Sequence, residues 1–314
     1  MFSRCLGFEA CRYDGAIIRD ATVASILLHV EPITVCPETE IGLGVPRKPV
    51  RLVEEQGRIL VLQPETGRDV TDEMTSFAER FLDEIPDVDG FLLKCRSPSC
   101  GVGHVRVYNG RSPDAGYHDG AGAFARRVTE RLSALAIEDE GRLRSFDVRQ
   151  HFLTKLFALA RFRGAAASRR MRDLVSFHAR HKFLLMVYHQ TAARAMGQIV
   201  ANPERLAVER VLTRYRECLH AALAKAPRRM SAVNALLHAF GYVSDGLSAN
   251  EKALFLEALR RYGARQVPLA VPTSLIRSWI VRFGVDYLLD QVYFEPFPPE
   301  LVSVLDSGEG RDAS

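Results

Sequence analysis

Six cysteines stand at positions 5, 11, 36, 95, 100 and 218, five of them within the first hundred residues. Three segments share one layout of an apolar lead-in, a cysteine and turn-forming residues: Ser3-Arg4-Cys5-Leu6-Gly7, Val35-Cys36-Pro37-Glu38 and Ser97-Pro98-Ser99-Cys100-Gly101. In an open α/β sheet such turns lie at the carboxyl ends of strands, where ligands bind. Three converging thiolates suit a soft metal, either zinc or an iron–sulfur cluster. No C-x-x-C spacing links the three, so the residues alone also allow buried free thiols acting as small hydrophobes. Glu38 follows Cys36 by two residues and Ser97 precedes Cys100 by three. A carboxylate and a hydroxyl on the same turns offer proton transfer beside a Lewis-acidic centre. Taken singly, Glu38 also reads as an acid in a helix first turn, and Ser97 as a turn-forming Ser-Pro step. Cys95, at the end of an apolar run, reads as packing, and Cys218, inside a helical pattern, as a non-ligand.

The elements that must position these turns alternate over the first half. A helix within 16–30 leads to a short strand at Ile33–Val35. Val50–Leu62 reads as a hairpin turning at Glu54–Gly57. Thr71 opens a helix with Phe77, Phe81 and Leu82 on one face. Gly90–Lys94 is the near-continuous apolar run of a strand buried on both faces. Asn109–Gly122 reads as a loop before a helix at 123–135. From Gln150 onward, apolar residues recur only at helical spacing. The expected fold is therefore an α/β domain followed by an all-α domain. Its expected limits are 1–140 and 141–306, with a disordered tail over 307–314.

With 314 residues the chain is longer than one ordinary domain. Its net charge of +4 averages two opposite halves. Residues 1–140 carry 16 basic and 23 acidic side chains, whereas 141–230 carry 19 and 5. That basic stretch is the footprint of a polyanion partner. The candidate RNA contacts are Arg161, Arg163, Arg169, Arg170, Arg172, Arg180, Lys182, Arg210 and Arg214, with Arg205, Arg210, Arg214 and Arg216 expected along one helix. Arginine suits bidentate phosphate contacts and stacking on bases, although a solvated helix face would have the same composition. The RNP motifs, the double-stranded-RNA-binding fold and zinc knuckles are absent, so recognition would rest on shape and charge. His178 and His181 stand one turn apart but lack a further ligand in sequence, so they are not read as a metal site. No run of eighteen apolar residues exists, which excludes a membrane-spanning helix. Without a secretory signal, the expected compartment is a reducing cytoplasm, where crowded cysteines argue for a metal, a cluster or catalysis over disulfides.

The motifs Ser3-x-Cys5-Leu6, Cys11-Arg12-Tyr13-Asp14-Gly15, Cys36-Pro37-Glu38, Gly42 through Pro46-Arg47, and Lys94 with Ser97-Pro98-Ser99-Cys100-Gly101 cover nearly all of the first 110 residues. In content and order they resemble the thiouracil desulfidase family. Further on, Phe177-His178-x-Arg180-His181-Lys182 and the closing Gln291-x-Tyr293-x-x-Pro296-Phe297-Pro298 resemble the helical YbgA-type domain that often follows it. The fused arrangement is similar to bacterial enzymes that remove sulfur from 4-thiouridine, including in tRNA.

The resemblance implies a 4Fe-4S cluster held by Cys5, Cys36 and Cys100, with one iron left open for the substrate sulfur. It implies Glu38 and Ser97 as the catalytic pair of a hydrolytic, non-redox reaction. Water would add to the ring carbon with Glu38 handling its proton and Ser97 positioning the water or the ring, and sulfide would leave. The implied partner is a thiolated tRNA or a thiouridine nucleotide, with no membrane and no obligate protein partner. Cys11 stands where the family often has valine and is expected not to ligate. Only four residues precede Cys5, so the first strand is expected to be short. Two other readings follow from the same residues. One is a non-catalytic RNA-binding protein whose cysteine turns are structural, and the other is a desulfidase limited to free thiouracil or thionucleotides.

Overall fold

A computed structural model describes residues 1–112 and 114–302. The tail expected over 307–314 lies outside the described residues. The chain divides into two compact units, Met1–Leu156 with the segment from Pro298, and Phe157–Phe297.

The first unit is α/β. Strand β6 (Gly90–Leu93) is buried along its whole length. It pairs in parallel with β1 (Phe2–Ser3) and β9 (Ala136–Asp139), and β1 pairs in parallel with β2 (Thr34–Val35). The resulting order, β2-β1-β6-β9, places strands added later on both sides of β1. Because the four strands run the same way, their carboxyl ends share one edge, and such a reversal of order opens a crevice there. The short first strand forms as expected, and the backbone of Met1 extends its pairing by accepting from Leu92 N at 2.8 Å.

A second sheet, in the order β5-β4-β3-β7-β8, contains the expected hairpin. Strands β3 (Arg51–Glu55) and β4 (Arg58–Gln63) meet at Gln56-Gly57, whose φ values are +52° and +75°. Positive φ at both central residues is what a two-residue hairpin needs, so Glu54 and Glu55 belong to the strand and not to the turn. Strand β5 (Arg68–Asp69) borders β4, β7 (Val105–Tyr108) runs parallel to β3, and β8 (Tyr117–Gly120) pairs with β7. Strand β8 corrects the expectation of a loop through 109–122. Its side chains are mostly exposed, so no alternation marks it, and the backbone ladder to β7 defines it.

Helices α1 (Ala21–Leu27), α2 (Pro37–Glu40), α3 (Thr71–Glu84) and α4 (Ala123–Leu132) complete this unit. The buried faces of α3 and α4 pack Met74, Phe77, Phe124 and Val128 with Leu52, Phe91 and Val107. Each such side chain contributes about 1.5–3 kcal/mol on burial.

Helix α5 (Phe146–Ala167) crosses the division between the units, and α6 (Met171–Ala201) to α11 (Asp286–Leu289) belong to the second. Helix α6 breaks at His189, whose Nδ1 accepts from Ala192 N at 3.2 Å and starts the helix again. The motif residues here are architectural. Gln291 Nε2 donates to Ala179 O at 2.9 Å, and its Oε1 accepts from Phe183 N at 3.3 Å. Those two backbone groups are i and i+4 on α6, so the amide clasps one rung of the helix ladder. Arg161 Nη1 likewise donates to Pro296 O at 2.6 Å.

His181 is 3% exposed; its Nδ1 donates to Phe177 O at 2.7 Å and its Nε2 has no partner among the described residues. Burial pushes its pKa down to about 3 against the opposing hydrogen bond, with Arg161 and Arg180 adding to the drop. In the unfolded chain it returns to about 6.5. Between these values the unfolded state binds a proton that the folded state does not, so stability is lost as pH falls through that window. The slope is up to about 1.4 kcal/mol per pH unit. Thermal midpoints measured from pH 7 to 4 should fall less in His181→Phe than in the parent chain. Equal slopes would exclude His181 as a source.

Candidate active site

The crevice at the carboxyl ends of the parallel sheet is a cavity of about 400 Å³. Its lining includes Cys5 after β1, Cys36 and Glu38 after β2, and Ser97 and Cys100 after β6. Five residues separated by up to 95 positions in the chain are thus brought to one space. None of the cysteines is in a disulfide.

The turn after β6 is shaped by its own backbone. Ser97 Oγ accepts from Ser99 N at 3.2 Å and from Cys100 N at 3.1 Å. The start of α4 closes on the same turn, with Ala123 N donating to Pro98 O at 2.9 Å and Ala125 N to Ser99 O at 3.0 Å. A Cβ on Gly122 would stand 2.5 Å from the Ser99 carbonyl, and one on Gly101 would stand 2.4 Å from Val105 Cγ2. Gly122→Ala therefore has to push backbone against backbone. It should cost roughly 1–3 kcal/mol and displace Cys100. Denaturant unfolding measures the cost, and an unchanged midpoint would refute the tight fit.

Glu38 lies in the first turn of α2, and its buried carboxylate is held from two sides. Arg47 Nε and Nη2 reach Oε2 at 2.8 and 2.7 Å, and Ser99 Oγ donates to Oε1 at 2.8 Å. Arg47 Nη1 also binds Cys11 O at 3.0 Å and Gly44 O at 2.9 Å, tying three loops together. Neither Arg47 nor Ser99 carries a role in the sequence reading. Arg47 stands nine positions after Glu38, beyond the end of α2 in a stretch with no periodicity, so no local pattern could pair them.

Three of the cavity thiols are pushed toward the protonated form by burial. Burial, then Cys36, pushes Cys5 up to about 11. Burial also pushes Cys11 up to about 12, with Cys36 adding to it, and raises Cys100 well above the usual thiol value. A bound metal would have to displace those protons, as thiolate ligation requires. Cys11, 1% exposed, lines the same cavity and packs with Cys5 and Cys36.

Cys95 corrects the expectation of core packing. Strand β6 ends at Leu93, so Cys95 leaves the sheet half-exposed on the cavity wall. Lys94 Nζ donates to Glu140 Oε1 at 2.5 Å, Cys95 O at 2.9 Å and Cys95 Sγ at 3.1 Å, using all three of its hydrogens. Burial opposes the Lys94 charge, but Glu140 and Cys95 together outweigh it and raise its pKa. Ligand atoms of Cys95, Asp139 and Glu140 lie within 4.8 Å of one another. Their carboxylates already accept from Lys94, Cys95 N, Arg142 N and Val102 N, so this trio is a hydrogen-bonded clamp.

In the second unit, Arg163, Arg172, Arg180, Lys182, Arg210 and Arg214 are exposed on helices, with Arg169 and Arg170 exposed between α5 and α6. Arg161 is half-buried on Pro296 O, Arg172 pairs with Asp173 at 3.4 Å, and Arg214 pairs with Glu204 at 3.1 Å. Arg205 precedes α7 (Val208–Ala222) with φ +52°, so it is not on the expected arginine-lined helix.

Two different family models match the two parts of the chain. Residues 1–140 match the family model described as 2-thiouracil desulfurase. Residues 182–298 match a model described as a protein of unknown function, DUF1722. The chain is 28% identical over 117 residues to the uncharacterized protein YbbK of Bacillus subtilis (strain 168), spanning 35% of this chain and 76% of YbbK. It is 32% identical to a solved structure described as the 4Fe-4S-dependent thiouracil desulfidase TudS. That match covers 46% of this chain and 91% of the other, with a TM-score of 0.35. Among the described residues no helix is long and apolar enough to cross a membrane.

Proposed function

We propose that this chain is a cluster-dependent desulfidase that replaces the thiocarbonyl sulfur of a thiolated uracil by the oxygen of water. One C=S and one H₂O become one C=O and one H₂S, with no net electron transfer. The observation that carries the reading is the convergence of Cys5, Cys36, Cys100, Glu38 and Ser97 on one cavity of a desulfurase-family domain.

Cys5, Cys36 and Cys100 are free thiols lining one cavity, a soft donor set of the kind that zinc or an iron–sulfur cluster takes. The desulfidase with 32% identity is described as 4Fe-4S-dependent, which supports the same group here. Bound by three cysteines, it would supply an open, Lewis-acidic iron for the substrate sulfur. In this reading Glu38 takes the proton of the attacking water. Ser97 Oγ already accepts two backbone N–H groups, so its own hydrogen is the group it can offer to water or ring.

The proposal assigns chemistry to residues 1–140 and polyanion binding to 141–306, with 4-thiouridine in tRNA or as a nucleotide as the substrate. Arg96 supports an anionic substrate. It lines the cavity, is exposed, and has no partner among the described residues, whereas Arg4, Arg12, Arg47 and Lys94 are paired. Free thiols and a cluster suit a reducing cytoplasm.

The test is anaerobic reconstitution with iron and sulfide, followed by sulfide release from 4-thiouracil, 4-thiouridine monophosphate and thiolated tRNA. A brown protein that releases sulfide supports the enzyme. A colourless, inactive one sinks it. Turnover of tRNA that falls steeply with salt supports the basic surface as its holder, and turnover indifferent to salt removes that part.

A further inference from the structure

Arg47 grips Glu38 incompletely. Its Nε and Nη2 both reach the same oxygen, Oε2, at 2.8 and 2.7 Å, so the carboxylate plane remains free to pivot about that atom. The second oxygen is fixed by Ser99, whose Oγ donates to Oε1 at 2.8 Å. Ser99 is fully buried and stands behind the cavity lining. It is also tied to the other member of the proposed pair, because Ser99 N donates to Ser97 Oγ at 3.2 Å. A carboxylate offers about four lone-pair positions. Arg47 takes two and Ser99 one, which leaves a single acceptor position on Oε1.

From this geometry, and resting on the reading of Glu38 as the proton acceptor, we infer that Ser99 is a positioning residue that sets the plane of the Glu38 carboxylate and registers it to Ser97. Its hydroxyl holds the remaining lone pair of Oε1 at one angle, and its amide holds Ser97 in the same frame. Ser99 does not touch the substrate.

The experiment is a double-mutant cycle in the reconstituted protein, with Ser99→Ala, Glu38→Gln and the pair, measured for kcat, KM and iron content. Ser99→Ala should lower kcat roughly 10- to 100-fold, the scale of a misplaced catalytic group, with KM and iron content unchanged. In the Glu38→Gln background the same change should have no further effect on kcat, because its only route is through the carboxylate. Full kcat in Ser99→Ala overturns the inference. So does an equal loss in both backgrounds, or a loss that follows iron content, since either makes Ser99 a structural residue. Normal turnover by Glu38→Gln alone would instead remove the reading on which the inference stands, and the two failures are told apart by that single variant.

Discussion

Replacing Cys100 with alanine should strip iron from the reconstituted protein and reduce sulfide release from 4-thiouracil to background. Cys100 is 6% exposed on a turn held by Ser97 Oγ, by Gly101 and by the first turn of α4, so its sulfur has no freedom to be replaced by a neighbour. On the proposed assignment of Cys5, Cys36 and Cys100, loss of one ligand leaves two, and binding free energy that depends on all of them collapses. Cys218→Ala is the control. That thiol lies on α7, half-buried, with Sγ 3.7 Å from Ala192 O, and its loss should leave iron and turnover intact. Iron content and the visible spectrum of both variants decide the matter. A Cys100→Ala protein that keeps its iron and its turnover would refute the ligand assignment. Retained tRNA binding by that variant is expected, because the basic helices are untouched.

Glu38→Gln should lower kcat about 10²- to 10⁴-fold, the usual contribution of a positioned acid–base group, while iron content stays normal. The change is nearly isosteric, but the amide has one oxygen: it can go on accepting from Arg47 while its NH₂ replaces Oε1, where Ser99 Oγ must then accept. It also removes the charge partner of Arg47, whose side chain is only 4% exposed. Breaking a buried pair from one side costs up to about 3–5 kcal/mol, so the thermal midpoint should fall as well. Activity measured well below that midpoint separates the two effects. Turnover within a few-fold of the parent would show that the water proton goes elsewhere.

Much of the site was legible in the chain because its chemistry is written in short motifs. Cys5, Cys36-Pro37-Glu38 and the turn carrying Ser97 and Cys100 each combine a thiol or acid with the turn that must carry it, and Cys5, Cys36, Glu38, Ser97 and Cys100 line one cavity. The strand Gly90–Leu93 and the helix from Thr71 were readable because each buries a continuous or periodic apolar face. What was not readable lacks that signal. Strand β8 has no buried side chain, so no alternation could mark it. Cys95 was misread because one residue decides whether a chain is still inside a sheet or has left it. The partners of Arg161 and Arg214 were invisible because composition counts charge without saying what each charge faces.

By itself the sequence determined the class of each half, an α/β part and a helical part, and the residue types of a thiol-lined site. Those follow from local periodicity and from turn chemistry, which act over a few residues. Only the tertiary structure decided which atoms hold Glu38, that Cys11 and Cys95 share the cavity, and that Arg96 alone of the cavity's cations lacks a partner among the described residues. These are contacts between segments from nine to tens of residues apart, brought to one edge because four parallel strands end there.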